Sequence, residues 1–208
     1  MARPSNTDER RAQITRGLIE VMSKRGYDGA SIADIAKAAR LTPGLVHYHF
    51  ENKRGILLAA LHELVTRHDA NLEARLAPLS GDPIGEVAAF IDVHLALGSD
   101  ADPEALACWI LLSGEALREQ TVRAEYEKAL QTSTARLARV IQHGVEARVF
   151  QCDSVPAAAS ALVAVIQGYL VLAATARSLI PKGSAAASAK LMATGLLRPT
   201  RSFATAEA

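Results

Sequence analysis

The sequence predicts an all-α fold of about nine helices: a small N-terminal three-helix part that carries a helix-turn-helix, and a larger helical C-terminal part. Three observations predict it. Ala and Leu dominate the composition and runs of β-branched residues are short, which favours helix over strand. Apolar residues recur at three- and four-residue steps along most of the chain. Cap-then-proline pairs and glycine stops punctuate the sequence at helix-length intervals.

The first helix opens at Thr7, buries Ile14, Leu18, Ile19, Val21 and Met22, and stops at Gly26. Ser31 opens a short second helix with Asp34 completing a capping box, and Ile32, Ile35, Ala36 and Ala39 form its apolar face. Thr42 caps a third helix of about two turns, with Pro43 in its first turn, ending near Phe50. Asn52 caps the fourth, whose apolar positions run from Ile56 to Leu72 before Pro78 and Gly81 break the chain. Asp82-Pro83 and Asp102-Pro103 start two more, separated by a polar turn at 99–103. Glu104 to Phe150 reads as two helices with a break between Gly114 and Gln120. A helix over 155–178, a loop at 180–184 and a last helix over 185–197 complete the chain, with a frayed tail from Pro199.

The composition bounds the function. The 208 residues carry a formal net charge of +1, unevenly spread: residues 1–54 hold ten Lys/Arg against six Asp/Glu, and the remainder thirteen against sixteen. A basic head on a mildly acidic body suits a polyanionic partner. The N-terminus is polar, without the apolar core of a signal peptide. The apolar stretch from Val155 to Ala176 is interrupted by Ser160, Gln167, Gly168 and Thr175, so it reads as a buried helix and no membrane partner is expected. Cys108 and Cys152 have no metal-site spacing and suit reduced thiols in a cytoplasmic protein.

Residues 31–50 carry the sharpest signal: two short helices joined by a tight connection, the geometry of a helix-turn-helix. In that arrangement the second helix offers its first turn to the DNA major groove. Thr42, Pro43 and Gly44 are small enough to let the backbone approach a duplex, and the Thr hydroxyl can meet phosphate. Val46 and Phe50 turn inward with Ile35, while Gly44, His47 and Tyr48 lie on another side from Leu45 and His49. Lys53 and Arg54 place two cations at the start of the fourth helix, where they oppose the helix dipole and fit better beside a phosphate.

The stretch SIADIAKAARLTPGLVHYHFENKRGILLAAL, preceded by GYDGA, resembles the DNA-binding domain of the TetR family over about residues 10–62. The region around Cys108-Trp109 and the long helix after it is similar to the subgroup containing the betaine-synthesis repressor. The resemblance implies a DNA-binding domain at 1–54 and a ligand-binding and dimerisation domain at 55–208. It implies that Thr42, Pro43, Gly44 and Leu45 meet base edges and nearby phosphates, that His47, Tyr48 and His49 form the aromatic–His segment, and that Lys53 and Ser31 reach the DNA backbone. The chain departs from the family pattern where many relatives have Gly and it has Arg40, and in the order of His47 and Tyr48. A non-glycine residue at positive φ costs about 1 kcal/mol, so Arg40 either shifts the turn or adds a phosphate contact.

Trp109, the single tryptophan, stands beside Cys108 and a run ending in Leu112. It reads either as core or as the aromatic wall of a ligand pocket, with Glu115 near enough in sequence to meet a cationic ligand. His94, Tyr126, Gln167 and Tyr169 are further candidates, each a polar group in an apolar helix that needs a partner if buried. His47 and His49 are two residues apart and point to different helical faces, so with His62 and His68 they make no ligand set: no metal and no cofactor are expected. Cys108 with His94 and Glu115 lacks any oxyanion or elbow motif, and no catalytic residue is assigned. The last two long helices, bearing Ala157, Leu162, Val165, Tyr169 and Leu172, then Leu191, Met192 and Leu196, are too apolar for a monomer surface and predict a homodimer that presents two heads to near-palindromic operator DNA. The expected function is a repressor released from its operator by a small-molecule inducer, with a ligand-independent or activating regulator as the alternative.

Overall fold

The computed structural model describes residues 6–95 and 102–203, and the polar turn expected at 99–103 falls largely outside them, at 99–101. Among the described residues the chain forms nine α-helices and no strand: α1 (Asn6–Arg25), α2 (Ile32–Ala38), α3 (Pro43–His49), α4 (Lys53–Leu76), α5 (Pro83–His94), α6 (Pro103–Glu115), α7 (Gln120–Glu146), α8 (Val155–Thr175) and α9 (Ser184–Leu197).

The caps act as their residue types require. Ser31 Oγ accepts from the Asp34 N–H while the Asp34 carboxylate accepts from the Ser31 N–H, closing the capping box. Thr42, Asp102 and Ser154 each accept from a backbone N–H three residues on, with proline following as the first or second helical residue. Asn52 Oδ1 accepts from the Gly55 N–H at 2.9 Å. The helix expected over 155–178 ends at Thr175, and residues 177–179 form a separate 3-10 turn, because Ala176 leaves helical geometry at φ −148°.

The chain packs as two compact units. One comprises residues up to Arg67 together with Asp102–Glu127; the other comprises His68–Ala101 and Lys128–Ala208. In the first, Leu18 and Met22 of α1, Ile35 of α2, Val46 of α3, Ile56 and Leu57 of α4, and Cys108 and Leu112 of α6 are fully buried in one core. Here α1 and α2 approach so closely that a Cβ on Gly17 would lie 2.8 Å from the Ile35 carbonyl oxygen. In the second unit, Phe90 and Ile91 of α5, Leu137 and Ile141 of α7, Leu162 of α8 and Ala193 and Leu197 of α9 form another core. Lys190, 4% exposed, donates to Asp92 at 2.7 Å there, so its buried charge is paired.

The tail does not fray at Pro199. The Thr200 N–H bonds the Val149 carbonyl, Arg201 grips the Asp82 carboxylate, and Phe203 is buried 6.3 Å from the Phe150 ring. A backbone hydrogen bond, an ion pair and one buried aromatic ring together dock it.

Candidate nucleic-acid interface and ligand-binding residues

The residues expected to meet DNA all lie in the first unit, on α2, α3, the turn between them and the start of α4. Ser31, Arg40, Thr42, Pro43, Gly44, His47 and Tyr48 are exposed, while Leu45, His49 and Lys53 are half-buried. Tyr48 is 80% exposed, and its ring meets that of His49 edge-on at 5.1 Å. Nothing lies within 4 Å of where a Cβ on Gly44 would stand, so this side of α3 is open.

The opposite side of α3 is held hard. Val46 and Phe50 are buried, the Arg11 guanidinium stacks 4.1 Å over the Phe50 ring, and the same arginine donates to the His49 carbonyl at the helix end. Gln13 donates to the Ala39 carbonyl at 2.6 Å, closing the end of α2 in the same way. One helix, α1, thus satisfies the last carbonyls of both short helices and fixes their orientation. Sequence reading did not single out Arg11 or Gln13, because a solvent-facing Arg or Gln on an amphipathic helix gives no local sign of a partner 26 or 38 residues away.

Arg40 adopts φ +54°, so the turn keeps the left-handed conformation that glycine favours without having glycine. Ser31 donates its hydroxyl to Asp34, holding that carboxyl below its ordinary range, and the proton must turn away to meet a phosphate. Thr42 accepts from the Leu45 N–H at 3.3 Å and keeps its own O–H to donate. Lys53 Nζ donates to the Tyr27 carbonyl at 2.8 Å and sits 4.3 Å over the Tyr27 ring. An ammonium has three N–H groups, so this contact positions Lys53 without exhausting it.

The candidate ligand residues fall into two groups. Trp109 and Tyr126 stack at 4.5 Å in the first unit, both half-buried, and burial pushes the Tyr126 phenol up to about 12. Glu115 is half-buried, and its charge adds to burial in raising the Tyr27 phenol. Leu112 is wholly buried in the core. Cys108 beside it is equally buried, and that burial pushes its thiol up to about 12.

In the second unit, Gln167 and Tyr169 are half-buried on α8, and Tyr169 packs against the core. His94 has a partner that the sequence did not reveal: His68, with the two Nε2 atoms 3.0 Å apart. The Nδ1 of His94 lies 2.8 Å from the Phe90 carbonyl and therefore carries the proton, so its Nε2 accepts from His68. Burial, then the neighbouring His68, hold His94 down to about 3, and burial lowers His68 as well. Among the described residues no three His, Cys, Asp or Glu side chains converge as a metal would need.

The outer faces of α8 and α9 are apolar and uncovered: Val171 is 45% exposed, Leu191 74% and Met192 48%. By length and composition alone α8 could cross a membrane, and 28% of its apolar stretch is buried.

Comparison with known proteins places this geometry. Residues 14–60 match the sequence model of bacterial regulatory proteins of the tetR family, and residues 83–198 match that of the C-terminal region of BetI-type transcriptional repressors. The transcriptional regulator BetI of Pseudomonas aeruginosa PAO1 is 26% identical over 167 residues, covering 76% of this chain and 78% of that protein. The regulator TtgR of Pseudomonas putida is 36% identical over 77 residues, 37% of each chain. Among solved structures, a transcriptional regulator from Rhodococcus sp. superposes with a TM-score of 0.79 at 22% identity, covering 89% of this chain and 95% of that one. A regulator from Saccharomonospora viridis, solved in complex with choline, gives 0.78 at 22% identity over 90% and 95%. An all-α chain with an exposed, rigidly held third helix, matched over most of its length by the two sequence models, belongs to the TetR family of bacterial transcriptional regulators.

Proposed function

We propose that this chain is a cytoplasmic, homodimeric repressor that binds a specific near-palindromic operator and leaves it when a small molecule binds. Residues 1–54 read the DNA, and residues 55–208 take the inducer and dimerise. The observation that carries the reading is α3: one side is pinned through Val46, Phe50 and Arg11, while Tyr48, His47 and Gly44 stand open on the other. A rigid helix with an exposed aromatic and small residues in its first turn is suited to a major groove. Arg40, Thr42, Pro43, Leu45, His49, Lys53 and Ser31 then supply base-edge and phosphate contacts.

Dimerisation through α8 and α9 accounts for the exposed Val171, Leu191 and Met192, which it would remove from water. The inducer is a cation or amine. Trp109 and Tyr126 offer stacked aromatic faces and Glu115 a carboxylate, and the choline held by the Saccharomonospora viridis regulator is such a cation. Leu112 belongs to the core of the same unit as Trp109, and His94, Gln167 and Tyr169 are separate ligand candidates within the second unit. Release follows by linkage, since an inducer that prefers another spacing of the two heads weakens operator affinity by its differential affinity for the two states. Helix α4 contributes residues to both compact units and is the lever.

The test is a titration of the protein against its own upstream intergenic DNA at two salt concentrations. Salt-sensitive saturation at one discrete near-palindrome, weakened by Tyr48→Ala, supports the repressor reading. Weak binding that is equal on every sequence sinks it.

A further inference from the structure

We propose that an open groove formed by the end of α4, the start of α5 and α7 binds a small organic monocarboxylate, with its anionic head on Arg136 and Arg139 and its apolar end against Leu76 and Val140. The groove has a volume of about 470 Å³, within the roughly 300–1,000 Å³ of small-molecule sites. Arg136, Arg139 and His143 follow one another at steps of three and four on α7, so they share a face, and all three line the groove.

Arg136 carries the argument. Its side chain is 25% exposed, and its buried Nη1 makes no hydrogen bond. That nitrogen lies 3.4 Å from Glu73 Oε2, close enough for charge attraction but without hydrogen-bond geometry, and the Glu73 side chain is 66% exposed, where such a pair is weak. A buried guanidinium N–H left without an acceptor is costly. A planar carboxylate entering the groove answers two guanidinium N–H groups at once. Glu86 lines the groove with Glu73, so the two carboxylates match the two arginines in charge and disfavour a dianion such as phosphate. Leu76 and Val140 give a short hydrocarbon chain an apolar surface. None of these residues belongs to the set proposed for the cationic inducer, and the site needs no DNA, so it stands or falls apart from the operator reading.

The experiment is calorimetric titration of the full chain, without DNA, with sodium butyrate and separately with sodium phosphate at matched ionic strength. Saturable butyrate binding is expected, weakened at least about tenfold in the exposed-site variant Arg139→Gln and tightened in Glu73→Gln, which frees Arg136 from its competitor. Circular dichroism of each variant confirms that the helices persist. Absence of saturable butyrate binding, phosphate binding as tightly as butyrate, or an Arg139→Gln variant that binds like the parent chain overturns the proposal.

Discussion

Two uncovered surfaces among the described residues, on α3 and on α8 with α9, differ in kind. On α3 the open side carries Gly44, His47 and Tyr48, polar or small, beside cations at Arg40 and Lys53. On α8 and α9 the open side carries Val171, Leu191 and Met192, all apolar. Both helical regions rest on a fully buried core, so neither surface is a packing failure. The first is built for a charged, hydrated partner whose affinity falls with salt. The second, under the proposed dimerisation, meets an apolar partner whose affinity scales with area removed from water. The two surfaces should therefore fail differently when mutated.

The largest effect is expected from the apolar surface. Val171→Glu combined with Leu191→Glu places charges on side chains already exposed, so protomer folding survives while the proposed dimer dissociates in sedimentation. Operator affinity then falls by about a hundredfold or more, because one head cannot hold two half-sites. A variant that stays dimeric would move the interface elsewhere. Next comes the polar surface: Tyr48→Ala leaves the melting temperature unchanged yet costs about 1–3 kcal/mol of operator binding by fluorescence anisotropy. Unaltered binding there would remove α3 from the interface.

The cores beneath sharpen the contrast. A Cβ on Gly144 would run into the buried Phe150 ring, so Gly144→Ala should destabilise the chain by about 1–3 kcal/mol in urea. Gly17→Ala should act comparably where α1 meets α2, but with loss of DNA binding as α3 loses its brace. If Gly17→Ala kept full operator affinity at full stability, α1 would not be that brace.

A pH effect is expected in the second unit, at the His94–His68 pair. His94 is held down to about 3 in the folded chain, against about 6.5 unfolded. The folded state therefore keeps this imidazole neutral while the unfolded chain takes up a proton. Stability is full above about pH 6.5 and is lost progressively as pH falls towards 3. His94→Gln should flatten that part of the urea midpoint-versus-pH curve. The smallest effect is expected at Arg40→Gly, which relieves the left-handed strain but loosens the unfolded chain. The net stability change stays below about 1 kcal/mol, and a reduced salt dependence of DNA binding would show that Arg40 touches phosphate.

Much of the site was legible in the sequence because its signals are local. The Ser31–Asp34 box, Thr42-Pro43 and Asn52 act over three or four residues, within one helical turn, and each appears in the structure where its spacing implied. The partners of those elements were not legible. Arg11 on the His49 carbonyl, Gln13 on that of Ala39 and His68 on His94 join residues 26 or more positions apart, and nothing in a local window distinguishes them from solvated side chains. The docked tail at Phe203 escaped for the same reason.

The sequence by itself determined the helices, most of their starts and the helix-turn-helix, because backbone propensity, capping and apolar periodicity are properties of a few neighbouring residues. Only the tertiary structure decided which residues share a core, that α6 packs with α1 in the first unit, that Arg40 bears a positive φ, and that the Arg136 nitrogen is buried without a hydrogen bond. Those outcomes depend on which helix faces meet across long stretches of chain, and many faces of similar polarity compete for each contact.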